Sequence, residues 1–138
     1  QERAAEWLER ARADVIASSH TCLPVLQNRV ATRRCTVIIN NGAAGMPNFR
    51  NTQFGVITRI GTGKSPHQPL YGTRIGEVAI EALAVRYDAA RWQREFSANW
   101  PAGSAAHLSY HKRIAQGPDY GIHNALRRIT GDARALVA

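Results

Sequence analysis

The chain has 138 residues, which is enough for one domain with a sizeable buried core. Its 44% hydrophobic and 20% charged residues are ordinary for a globular protein and exclude a wholly disordered chain. No apolar stretch approaches the roughly 18 residues of a membrane-spanning helix, so we expect no membrane association. The formal net charge of +8 suits an anionic ligand, nucleic acid included, but the arginines are scattered along the chain and form no single basic stripe.

The first part of the chain reads as a helix followed by short strands. Apolar residues recur at helical spacing across 3–13, which predicts an amphipathic helix. Short runs rich in Val and Ile predict strands at 14–18, 36–40 and 54–60. Residues 24–34 are more polar and predict a connection between the first two strands.

The middle of the chain is less clearly patterned. Residues 61–76 are rich in Gly and Pro, which predicts a loop or an open hairpin turn. Residues 77–87 satisfy both the helical and the alternating apolar spacing, so periodicity alone leaves helix and strand open.

The last third of the chain is predicted to be helical. Asp88 and Ser104 are placed to cap the N-termini of helices at 88–99 and 104–116. We expect these two helices to pack through four apolar side chains: Trp92, Phe96, Leu108 and Ile114. A last helix is predicted through three apolar positions and a terminal glycine: Ile122, Leu126, Ile129 and Gly131.

One histidine is singled out by its position. His20 directly follows the strand predicted at 14–18, among hydroxyl side chains, and the strand at 36–40 runs into a polar, Gly-rich loop at 41–47. Strands that release polar loops from their carboxyl ends are how α/β proteins build sites. On spacing alone, a metal or catalytic role and a purely structural role for His20 both stay open.

Two other patterns point less clearly to a function. Residues 63–65, Gly-Lys-Ser, match the end of a phosphate-binding loop, but the earlier glycine is missing and no helix follows. His107 and His111 have the i,i+4 spacing of metal ligands on a helix, but the glutamate of a metalloprotease helix is absent. Surface or packing histidines are therefore the preferred interpretation.

Four motifs occur in order along the first two thirds of the chain. They are Ser19-His20-Thr21-Cys22, Asn40-Asn41-Gly42-Ala43, the strand at 54–60, and Val85-Arg86-Tyr87-Asp88. This series resembles the C-terminal half of the calcineurin-like metallophosphoesterases, whose usual forms of the first two motifs are Gly-His-Thr-His and Asn-Pro-Gly-Ser. The resemblance covers roughly residues 3–88 and favours a strand at 77–87. The tail at 89–138 looks like an extension found in some members.

The resemblance implies a fold and a reaction. Members of this family fold as an αββα sandwich, so this α/β (α+β) chain would be the C-terminal half of one, with a helical C-terminal extension. Two divalent metal ions (Mn, Fe, Zn or Mg) activate a water that attacks a phosphate mono- or diester. By matching position, His20 would bind the second metal ion and Cys22 would stand where a ligand of the first is expected. Asn40, Asn41 and Gly42 would form the loop beside the substrate.

Two geometric expectations follow from these assignments. Residues two apart in an extended chain point the same way, so we expect His20 and Cys22 to share one exposed pocket that faces the loop at 40–45. We also expect the helix at 3–13 to pack on a single sheet made of four strands: 14–18, 36–40, 54–60 and 77–87.

The family's N-terminal motifs are missing from this chain. They are Asp-x-His, Gly-Asp-x-x-Asp and Gly-Asn-His-Asp/Glu, which supply most of the metal ligands and the bridging carboxylate. We therefore expect a longer hydrolase of which this chain is the C-terminal half, divided into 1–88 and 89–138 and inactive alone. Its partners would be a phosphoester substrate and the missing N-terminal half. The alternative is a non-enzymatic phosphate- or nucleic-acid-binding module.

The two cysteines bear on the cellular compartment. Cys22 and Cys35 form neither a metal knuckle nor a redox CxxC pair. We expect both thiols to be reduced in a cytoplasmic protein, and a disulfide between them is the alternative.

Overall fold

A computed structural model describes residues 2–31 and 34–128. The described chain begins with helix α1 (Glu2–Arg10). Six strands follow: β1 (Val15–Ser18), β2 (Val25–Ala31), β3 (Arg34–Asn40), β4 (Phe54–Gly61), β5 (Tyr71–Ile75) and β6 (Val78–Arg86). Helices α2 (Ala89–Asn99) and α3 (Ala105–Gln116) come next, and a short 3-10 turn (Ile122–Ala125) leads into strand β7 (Leu126–Arg128). Within the described residues, no helix is long and apolar enough to cross a membrane.

The first sheet has the order β1-β3-β2-β7. Strand β3 lies inside this sheet, between β1 and β2, with Val37 and Ile39 buried and Ile38 partly buried. Partial burial of the second face fits its continuous apolar run. Strand β1 runs parallel to β3, with Ser18 opposite Asn40 at the carboxyl ends. Strand β2 runs antiparallel to β3, and β7 runs parallel to β2.

The second sheet is antiparallel and has the order β4-β6-β5. Its central strand is β6, so the ambiguous segment at 77–87 is a strand, as the family resemblance predicted. Strands β5 and β6 form a hairpin in which Ile75 pairs with Val78. The turn between them uses Gly76 at a φ of 55°, a conformation that glycine adopts without a steric penalty.

The buried core draws on both sheets. It contains Val37 and Ile39 from the first sheet and Val56 and Ile80 from the second, all fully buried. The connection between β3 and β4 adds Phe49, whose ring lies between three other aromatic rings with centroids 6.2–6.5 Å away. Each large apolar side chain removed from water contributes about 1.5–3 kcal/mol, so this shared cluster stabilises the pairing of the two sheets.

The strand predictions are confirmed in position but not in arrangement. The segments at 14–18, 36–40, 54–60 and 77–87 are strands, but the first two belong to one sheet and the last two to another. The prediction of a single sheet is therefore wrong. Apolar periodicity identifies a strand's buried face and not its hydrogen-bonding neighbour, and β4 pairs along its whole length with β6. A mixed α/β fold with two sheets is what the structure shows.

Two segments predicted as irregular contain strands. The connection predicted at 24–34 holds β2, and the loop predicted at 61–76 ends in β5. Strand β2 carries polar residues because they find partners: Asn28 Nδ2 donates to Thr73 Oγ1 of the second sheet at 3.0 Å. Tertiary pairing therefore outweighs local polarity in this part of the chain.

The two predicted helix caps are confirmed. Asp88 Oδ1 accepts a hydrogen bond from the Arg91 amide at 2.9 Å, and Ser104 Oγ accepts one from the His107 amide at 3.3 Å. Each satisfies an N-terminal amide that has no partner within its own helix.

The predicted packing of these helices is only half right. Phe96 and Ile114 are buried, but Leu108 is 74% exposed and Trp92 is 36% exposed. The prediction is wrong for Leu108 because α3 turns Ile114 toward the protein, and Leu108 lies on another face of the helix.

The last predicted helix is also wrong. Residues 122–125 form a 3-10 turn, and Leu126 begins a strand that pairs with β2. The remaining residues of that prediction, Ile129 and Gly131, lie outside the described residues. Cys22 and Cys35 are free, so the structure contains no disulfide between them.

Candidate functional site

The candidate site lies at the carboxyl ends of β1 and β3. Because these strands are parallel neighbours, the loops that follow them leave from the same edge of the sheet. The loop after β1 contains Ser19 and His20, and the loop after β3 contains Asn41 and Gly42. The structure therefore brings together the two polar segments that the sequence singled out.

The two loops are joined by hydrogen bonds. The His20 amide donates to the Gly42 carbonyl at 2.8 Å, and the Asn41 amide donates to the Ser18 carbonyl at 3.1 Å. Ser19 Oγ also donates to the Gly42 carbonyl, at 3.2 Å. These bonds continue the β1–β3 ladder beyond the strand ends, so the backbone at His20 has a defined position.

Asn40 and Asn41 are buried and hold the loop from within. Asn40 Oδ1 accepts a hydrogen bond from the Gly42 amide at 2.7 Å, and Asn40 Nδ2 donates to Ser18 Oγ at 2.9 Å. Asn41 Nδ2 donates to the Val56 carbonyl at 2.7 Å, which ties the loop to strand β4 of the second sheet. A buried amide without such partners would cost about 1–3 kcal/mol, so both side chains are structural as well as close to the site.

The sequence did not single out Asn48, whose side chain makes hydrogen bonds to the backbone of this loop. It is fully buried, and its Oδ1 accepts from the Ala43 amide at 2.8 Å. Its Nδ2 donates to the Ala43 carbonyl at 2.5 Å and to the Met46 carbonyl at 3.2 Å. The contact also explains the glycine at position 42, which has a φ of 73° and where a Cβ atom would lie 2.3 Å from Asn48 Oδ1. An Asn that follows a Pro in a Gly-rich loop is the signal that could have identified it.

Gly55 allows the second sheet to approach the same loop. A Cβ atom at Gly55 would lie 1.6 Å from the Ala44 carbonyl oxygen, so no other residue fits without moving the backbone. The neighbouring Val56 amide donates to the Ala43 carbonyl at 3.0 Å. A glycine within an apolar strand often marks such a close approach.

His20 and Cys22 have unusual backbone conformations. Their φ angles are 83° and 61°, in the left-handed region that L-residues other than Gly, Asn and Asp rarely adopt. Among the described residues, two further non-glycine residues share this property: Arg12, just beyond α1, and Asn51. His20 is exposed and Cys22 is partly buried. The prediction that alternation would align the two side chains is wrong in its reasoning, because the chain at these positions is not extended.

The helical part of the chain contacts this loop directly. A guanidinium nitrogen of Arg113 on α3 donates to the Cys22 carbonyl. Tyr120 Oη donates to the Pro24 carbonyl at 2.8 Å. The backbone around Cys22 is therefore held from two sides by residues that sequence reasoning did not connect with it.

A metal centre needs more donors than these loops provide. Among residues 2–31 and 34–128, no three His, Cys, Asp or Glu side chains come together in a way that could hold a metal ion. His20 and Cys22 are two donor types that suit zinc or iron, but two donors do not fit a dinuclear centre. Any such centre would need ligands from residues other than the described ones.

A groove of about 590 Å³ lies beside the β3–β4 connection. Its lining combines loop, strand-end and α2 residues: Ala44, Gly45, Val85, Tyr87, Asp88, Arg91, Trp92 and Glu95. Its charged groups are already engaged with one another, since Arg91 Nε donates to Glu95 Oε1 at 2.7 Å. Burial raises the pKa of Tyr87 above its ordinary value near 10.

Compared with known proteins, the chain matches no family model, no curated protein and no solved structure at a significant level.

Proposed function

We propose that this chain is the C-terminal part of a calcineurin-like metallophosphoesterase and that His20 is one of the metal ligands of the whole enzyme. The observation that carries the proposal is the pair of left-handed residues, His20 and Cys22, at the edge where two parallel strands end. Strained backbone of this kind clusters at functional sites, and the outer edge at the carboxyl ends of parallel strands is where α/β proteins bind ligands.

Stability alone does not account for a histidine at position 20. A left-handed L-residue costs about 1–2 kcal/mol, and glycine would avoid that cost. The side chain is exposed, so it gains little from packing in return. Its backbone is nevertheless fixed by the bond to Gly42. An exposed imidazole on a fixed, strained backbone is what a ligand position requires.

The neighbouring residues support the same interpretation. Asn40, Asn41 and Gly42 hold the second loop against the first. Asn40 and Gly42 resemble the family's Asn-Pro-Gly-Ser motif, with Asn41 at the position of its proline. Cys22 stands where the family places a second histidine. A thiolate is a softer ligand than imidazole and favours zinc or iron over manganese or magnesium.

Among the described residues, His20 and Cys22 are the proposed ligands, so the proposal requires the remaining ligands from an N-terminal half of the domain. In the whole enzyme, two divalent metal ions would activate the water that attacks the phosphoester. The role of this chain is then to present His20 and to hold the Asn41 loop. Phosphate monoesters or diesters are the substrate class.

The second candidate function is a phosphate- or nucleic-acid-binding module without catalysis. The net charge of +8 favours it, because a cationic surface attracts polyanions. This alternative does not explain the strained histidine, and it predicts binding that weakens steeply with salt and needs no metal ion.

Hydrolysis of a generic aryl phosphate ester with added Mn²⁺ tests the proposal. The 138-residue chain alone should show no turnover above a His20→Ala control, since it lacks the bridging carboxylate. The longer protein, joined to its N-terminal half, should turn over the ester only with metal and should lose activity on His20→Ala. His67→Ala changes an exposed histidine elsewhere and should keep the activity. Turnover that is the same in His20→Ala and His67→Ala would refute the assignment.

A further inference from the structure

Helix α3 carries two histidines outside the candidate site. His107 and His111 lie one turn apart on the same face of the helix, and their imidazole rings stack with centroids 4.5 Å apart and planes inclined by 19°. His111 is exposed and His107 is partly buried. The ring atoms of one histidine therefore lie directly over those of the other, at the surface of the protein.

Burial distinguishes the two ring nitrogens of His107. Its Nδ1 atom is buried and has no hydrogen-bond partner among the described residues. Nε2 is then the nitrogen of His107 that can reach solvent and a dissolved ion. The backbone beneath it is fixed, because Ser104 Oγ caps the His107 amide at the start of α3. The backbone that carries one of the two imidazoles is therefore fixed.

The spacing of the rings is close to that of a chelating pair. A metal ion bound to two imidazoles at about 2.0–2.1 Å needs the two nitrogens to be roughly 3.3 Å apart in tetrahedral geometry. In the stacked arrangement the ring nitrogens do not face a common point, so binding requires His111 to turn out of the stack, which its exposed position allows. Neutral imidazole suits zinc, copper and nickel, and it suits magnesium or calcium poorly.

Positive charge near His107 and His111 limits their affinity for a cation. Lys112 is adjacent to His111, and His107 lies in the first turn of α3, where the helix dipole is positive. Both features disfavour a bound cation. A two-imidazole site completed by water therefore has modest affinity under these conditions.

We propose that His107 and His111 bind one divalent transition-metal ion, copper(II) most tightly and nickel(II) and zinc(II) less so, with water molecules as the other ligands. The site is separate from the loop at His20. Arg113, which contacts the Cys22 carbonyl, follows His111 by two residues, which places it about 200° further around the helix, on another face. The inference does not depend on the proposed phosphoesterase function.

Isothermal titration of the purified, untagged chain with CuCl₂, NiCl₂, ZnCl₂ and MgCl₂ tests this site and its order of affinities. A background with His20→Ala and Cys22→Ala removes any contribution from the other loop. In this background the chain should bind one nickel or zinc ion and no magnesium. His111→Ala should weaken binding by at least about tenfold, because even an outer partner of a metal ligand contributes that much.

Two matched controls make the result specific. His67→Ala and His123→Ala each remove one exposed histidine and should leave the affinity unchanged. His111 is exposed, so its replacement should not unfold α3, and far-UV circular dichroism verifies this. The proposal is overturned if the background chain binds neither nickel nor zinc. It is also overturned if His111→Ala binds as tightly as the background, or if the control variants lose as much affinity as His111→Ala.

Discussion

The left-handed backbone at His20 predicts that glycine is more stabilising than alanine at this position, which is the reverse of the usual order. At an ordinary helix or strand position, alanine is more stable than glycine by about 0.5–1 kcal/mol, because glycine loses more backbone entropy on folding. At the φ of 83° found for His20, an L-residue instead costs about 1–2 kcal/mol that glycine avoids. The two effects oppose each other, and the middle of each range leaves His20→Gly more stable than His20→Ala by about 0.75 kcal/mol.

Urea unfolding followed by tryptophan fluorescence measures this difference. With a slope of about 1.5 kcal/mol per molar urea, the His20→Gly midpoint should lie about 0.3–0.7 M above that of His20→Ala. Ala17→Gly is the matched control, because Ala17 is exposed on strand β1, three residues before His20. It should be less stable than the parent chain by about 0.5–1 kcal/mol. If His20→Ala is as stable as His20→Gly or more so, the strain argument and the proposal that rests on it are wrong.

Three further predictions concern the core and the loop supports. Tyr71 is fully buried with no hydrogen-bond partner for its hydroxyl among the described residues, so Tyr71→Phe should equal or exceed the parent in stability at pH 7. Burial raises the pKa of Tyr71 above its unfolded value near 10, so the parent should lose stability as the pH rises above about 10, and the phenylalanine variant should lose less. Asn48→Ala removes the three hydrogen bonds of a buried side chain and should lower the free energy of unfolding by about 2–4 kcal/mol. Its control is Asn99→Ala, at an exposed helix end, which should change the free energy of unfolding by under about 0.5 kcal/mol. Phe96→Ala should lower the free energy of unfolding by about 3–5 kcal/mol and Leu108→Ala by under about 0.5 kcal/mol, because Phe96 is buried and Leu108 is exposed. Urea unfolding measures both values, and equal losses would contradict the packing of α2 and α3.

Local signals identified most of the elements from sequence. The strands at β1, β3 and β4 are short apolar runs, and the starts of α2 and α3 follow from Asp88 and Ser104, whose side chains act on amides only three residues away. Such features depend on neighbouring residues alone, which is why they can be read without a structure.

The missed elements depend on partners distant in sequence. Strand β2 contains Gln27 and Asn28, and the side-chain nitrogen of Asn28 donates to Thr73, 45 residues later. Strand β7 exists because Leu126 lies opposite Leu26. No local pattern contains this information, so both segments were assigned to other structures.

The candidate site also has some features that depend on local sequence and others that depend on distant partners. Position after a strand was enough to single out His20 and the loop at Asn41, and the parallel pairing of β1 with β3 brings them together. The left-handed conformation at His20 and the support from Asn48 and Arg113 come from tertiary contacts. The position of the candidate site could therefore be predicted from the sequence, whereas its backbone conformation and supporting contacts could not.

The metal content of the longer protein, with both halves of the domain present, tests the central claim most directly. Its measurement by mass spectrometry after dialysis is best made in a His111→Ala background, so that the separate pair on α3 does not contribute. We predict that His20→Ala lowers the amount or the affinity of bound divalent metal and that Cys22→His raises the affinity. If neither substitution changes metal stoichiometry or affinity, the loop at His20 is not a metal site and the phosphoesterase assignment is wrong.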